Sequence, residues 1–138
     1  MIRASGTVTE VLRDGDIVET HEGNPLAFIE QYQARFKVAL RPGMPRFCGG
    51  LAGYFGYDTV RHIKPCLGPA VKPFPNRMEQ GTPNIMLLHV DELFIVDNLA
   101  GRTYLIVYAD TSLPESYTQA QHRLHELRAK LRKPVEIS

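Results

Sequence analysis

The run CGGLAGYFGYDTVR, from Cys48 to Arg61, is the segment that most restricts how this chain can fold. Glycine stands at Gly49, Gly50, Gly53 and Gly56, with the rings of Tyr54, Phe55 and Tyr57 between and after them. That mixture reads as an extended strand from Phe47 to Tyr57. Glycines inside a strand mark places where a second backbone or a ring comes close, and aromatic side chains fill the volume around them. A phosphate-cradling loop is the competing reading. It needs glycines between a strand and a helix N-terminus, and in the P-loop case a Lys-Ser/Thr pair. Here the spacing is GGxxGxxG, rings occupy the middle, and no such lysine follows, so close backbone approach is favoured. Asp58 is then placed to cap a short helix through Thr59, Val60 and Arg61 to Ile63.

The flanks supply the remaining elements. Val8, Val11, Ile17 and Val18 are β-branched and surround Asp14-Gly15, a pair suited to the positive φ of a tight turn, so Thr7 to Thr20 predicts a β-hairpin. Asn24-Pro25 pairs a good N-cap with a residue that suits the first helical position. Leu26, Ile29, Gln33 and Phe36 then predict a helix from Pro25 to Ala39, ended by Pro42-Gly43 and Pro45. Lys64 to Pro83 carries five prolines and two glycines and reads as a long irregular surface segment. IMLLHV (Ile85–Val90), LFIV (Leu93–Val96) and TYLIVY (Thr103–Tyr108) predict an antiparallel meander. Their unbroken apolar character suggests strands covered on both faces, with cover that 138 residues are too few to supply. Ser112 and Glu115 have capping-box spacing. Tyr117, Ala120, Leu124, Leu127 and Leu131 form one helical stripe, with cations crowding the end that complements the dipole and Pro134 beyond it. The fold class is therefore α+β, a mainly antiparallel sheet with flanking helices.

Composition excludes several functions. Sixteen basic against fifteen acidic residues leave a net charge of +1, which provides no pull toward nucleic acid or an anionic membrane. No apolar run approaches the roughly 18 residues of a membrane-spanning helix. The N-terminus has no apolar signal region, and two cysteines without CxxC spacing suit a reduced, cytoplasmic chain.

No convincing catalytic set emerges from the residues. His122 and His125 lie three apart on the last helix, a spacing that can bind a metal, but no third ligand stands near them and a solvated face is favoured. His89 falls within an apolar strand, which suits a core or rim histidine better than a ligand. Asp91-Glu92 could do acid–base work or hold Mg²⁺, yet a polar turn gives the same dipeptide. Cys48 has no evident base beside it and reads as a small buried side chain.

As a whole, PRFCGGLAGYFGYDTVRHIKP (Pro45 to Pro65) closely resembles the GGxxGYFGYDxVR stretch of anthranilate synthase component I, with Gly49, Gly50, Gly53, Tyr54, Phe55, Gly56, Tyr57, Asp58 and Arg61 in place. PNIMLLHVDELFIVDN (Pro83 to Asn98) is similar to the family's next strand, acidic turn and strand. The resemblance implies a partial N-terminal domain of an enzyme that converts chorismate to anthranilate for tryptophan synthesis. In that family Mg²⁺ and the catalytic residues lie in a C-terminal chorismate-binding domain, and a glutamine amidotransferase subunit supplies ammonia. The resemblance places that catalytic domain beyond Ser138 and the family's Leu-Glu-Ser inhibitor motif before Met1. It therefore assigns no catalytic, cofactor or metal residue to positions 1–138. It further implies that the sheet is part of a larger two-sheet α/β/β/α sandwich. Two alternatives remain at this stage: a large-subunit fragment of the related aminodeoxychorismate synthase, and a freestanding regulatory or binding module.

Overall fold

A computed structural model describes residues 1–64, Leu67 and residues 82–134. It divides into two compact units, Met1–Arg41 with Gly50–His89, and Pro42–Gly49 with Val90–Ser138. The proline-rich stretch expected between Lys64 and Pro83 lies, apart from its ends and Leu67, outside the described residues.

The first unit is built on a five-stranded sheet in the order β3-β2-β1-β5-β4. The strands are β1 (Ile2–Ser5), β2 (Val8–Arg13), β3 (Asp16–Glu22), β4 (Gly50–Phe55) and β5 (Ile85–Val90). The expected hairpin is β2–β3, and both turn residues take positive φ, Asp14 at 54° and Gly15 at 97°. β1 precedes it as a strand that the sequence reading did not anticipate. It pairs antiparallel with β2 and, through Ile2↔Leu87 and Ala4↔Ile85, with β5. That pairing sets Ile2, Ala4, Val11, Ile85 and Leu87 on one face.

Helix α1 (Pro25–Ala34) closes this face with Phe28 and Ile29. Its start is as expected, since the Asn24 side chain accepts the Leu26 N–H at 2.9 Å and Pro25 takes the first position. Its end comes five residues before Ala39. Beyond Arg35 the apolar residues Phe36, Val38 and Leu40 are exposed. A helix continuation would therefore bury no face, and burial is what sustains short helices. Arg35 instead turns back to Glu19 with two hydrogen bonds of 2.7 Å.

The second unit contains the hairpin β6 (Glu92–Asp97) and β7 (Arg102–Val107), followed by α3 (Ser116–Leu131). The expected meander is therefore broken. β6 and β7 form their own two-stranded sheet, while β5 pairs within the first unit. Full two-sided burial is also not what the strands show. β6 alternates exposed and half-buried residues, with Phe94 50% and Val96 54% exposed. An alternating pattern is that of a strand covered on one face.

In α3 the stripe is real but shallow: Ala120, Leu124 and Leu127 are half-buried, Tyr117 and Leu131 are exposed, and no residue is fully buried. The capping box does not form. Ser112 binds the Asp110 carboxylate through both its N–H and its hydroxyl, and Glu115 sits at the N-cap without a side-chain bond. Asp110 outcompetes the box because it meets Ser112 within its own local turn and also offers its backbone carbonyl to the Ser116 hydroxyl.

Candidate functional site

The glycine–aromatic run becomes β4, a one-turn 3₁₀ segment at Tyr57–Thr59, and the short helix α2 (Val60–Ile63). Gly53 shows why glycine is required. A Cβ at this position would stand 1.9 Å from the Met86 carbonyl oxygen on β5, so any side chain would push the two strands apart. At Gly56 the corresponding distance to the Asn84 carbonyl oxygen is 2.8 Å, and the Gly56 N–H donates to that same oxygen at 2.6 Å. Gly49 belongs to the second unit. There its Cβ would meet the Tyr108 ring at 2.5 Å, while the Tyr108 hydroxyl donates to the Cys48 carbonyl at 2.7 Å. Cys48 is buried, as expected. Burial, and then Cys48, push the Tyr108 phenol above its ordinary pKa.

The rings of the motif point outward. Tyr54 is 40%, Phe55 53% and Tyr57 86% exposed, with the Tyr54 hydroxyl donating to the Pro83 carbonyl at 3.0 Å. Volume filling therefore describes Leu51, which packs against the core, better than it describes these rings. Asp58 does not cap the helix. It lies inside the 3₁₀ turn, whose N-cap is Gly56, and accepts from Arg61 Nε at 3.3 Å, while Thr59 stands at the N-cap of α2. This turn-and-helix is tied to α1 by Asn24 Nδ2, which donates to the His62 carbonyl at 3.4 Å.

Asn84 holds the site together in a way that spacing alone did not reveal. Its backbone carbonyl receives Gly56, while its side-chain oxygen receives the Gly6 N–H at 3.0 Å. One residue thereby links the β1–β2 turn, the end of β4 and the start of β5. An Asn directly after Pro83 and before an apolar strand was the available signal.

The other candidates fall apart as a group. Asp91 is a single connecting residue whose carbonyl accepts the Tyr108 N–H, and Glu92 binds Arg123 through both oxygens at 2.7 and 2.9 Å. The Arg123 guanidinium holds the Glu92 carboxyl below its usual range, as Arg35 does for Glu19. His122 lies 3.4 Å from Glu126, and His125 is exposed. His89 lies tilted against Phe36 at 4.6 Å between ring centres and meets Tyr32 edge-on. Among the described residues no three His, Cys, Asp or Glu converge to hold an ion. The carboxylates Glu10, Glu19, Asp58 and Glu92 each face an arginine. These residues do not fit a Mg²⁺ centre, which needs free carboxylate oxygens. A shallow hollow lined by Met1, Arg3, Glu10, Pro83 and Met86 offers little more, because its two charges bind one another at 2.5 Å.

The chain is thus an α+β segment organised around a glycine-built strand. No protein-family model matches it. It is 47% identical to anthranilate synthase component 1 of Neisseria meningitidis serogroup C, over 99% of this chain and 28% of that protein. It is 43% identical to the protein of that name from Pseudomonas putida, over 98% of this chain and 27% of the relative. The Acetivibrio thermocellus protein of that name is 34% identical over 75% of the chain. By sequence the chain belongs with anthranilate synthase component 1, and it spans little more than a quarter of the length of the relatives it matches.

Proposed function

We propose that this chain is the non-catalytic N-terminal segment of an anthranilate synthase component 1, serving a cytoplasmic enzyme of tryptophan synthesis. The observation that carries the reading is the end-to-end match at 47% identity to only 28% of a longer relative. The arginine partners of Glu10, Glu19, Asp58 and Glu92, which commit those four carboxylates to structural ion pairs, support it. In this reading chorismate and Mg²⁺ bind in a C-terminal domain outside residues 1–138, and a glutamine amidotransferase subunit delivers ammonia to that domain. The role of the segment is to hold one sheet of a larger two-sheet sandwich. The exposed face of β6, with Phe94 and Val96, fits a strand awaiting cover.

The test is anthranilate fluorescence with chorismate, Mg²⁺ and ammonium, for the chain alone and mixed with the separately produced remainder of a component 1 protein. Silence from the chain and a gain on mixing is the expected result. Fluorescence from the chain alone would overturn the non-catalytic assignment. A folded chain that binds the remainder without raising its activity would favour a regulatory module.

A further inference from the structure

We draw no further inference here: the strongest candidate, the open groove between β7 and α3 with Leu105 and Leu124 as its apolar lining and Gln121, His125 and Arg128 as its polar one, carries nothing because nothing in the structure shows what covers it.

Discussion

The two units of this chain reach order by different means. The first has a core in the ordinary sense: Ile2 and Ile85 are fully buried, and Phe28 closes over them from α1 at 3% exposure. In the second, Cys48 and Ile106 are the buried apolar residues among those described, and α3 buries nothing completely. Its order comes from pairing. Six residue pairs zip β6 to β7, and Arg123 on α3 clamps Glu92 at the start of β6. Hydrogen bonds and exposed ion pairs give geometry at low net free energy, whereas buried apolar area gives stability. The first unit therefore has the composition of a self-supporting fold. The second draws far less on buried apolar area.

Phe28→Ala is the strongest way to break this contrast. It should cost about 3–5 kcal/mol, the usual loss for emptying a buried phenylalanine site, and it also removes the stack with His21 at 4.9 Å. Urea unfolding followed by circular dichroism measures it. A loss below about 1 kcal/mol would mean that the apparent core is loosely packed. Gly53→Val comes next, at about 3 kcal/mol, because the new side chain meets backbone and not a movable side chain. An unchanged midpoint would show that β4 can slide away from β5 freely, and the glycine requirement would fail.

The sequence announced the features whose causes are local. Asp14-Gly15 specified its turn, Asn24-Pro25 specified the start of α1, and the cations at the end of α3 fell where the dipole favours them. The α+β class and the strand character of the glycine run were equally legible. Features caused by distant partners were hidden. The end of α1 depends on Glu19, sixteen positions from Arg35, and nothing in residues 35–39 marks it. The break between β5 and β6 depends on β1 claiming β5, and β1 itself is too short and mixed to stand out as IRAS. Asp58 looked like a cap because its partner choice, Arg61 or a backbone N–H, is settled only when the turn tightens.

Leu124→Ala sharpens the comparison from the other unit. Leu124 is half-buried beside Leu105, so truncation should cost less than about 1 kcal/mol, well under the loss at a fully buried site. The same urea experiment reads it. A loss equal to that of Phe28→Ala would show that α3 carries a core of its own and that the two units are alike.

The smallest expected effect is electrostatic, and its sign follows from which state binds the proton more tightly. Arg123 lowers the Glu92 pKa in the folded chain from its ordinary 4.5, so the unfolded chain takes up the proton first. The Glu92–Arg123 pair contributes its full stabilisation above the unfolded value and loses it as pH falls from about 4.5 through the lowered folded value. Because both side chains are more than a third exposed, salt should mute the effect. Stability measured from neutral pH down to the acid range should therefore fall slightly less steeply in Glu92→Gln than in the unaltered chain, and the difference should shrink in high salt. A fall in Glu92→Gln as steep as in the unaltered chain would mean that the clamp positions α3 without stabilising it. A large, salt-insensitive difference would mean that the pair is shielded from water, and the second unit would then hold a buried anchor of the kind that distinguishes the first.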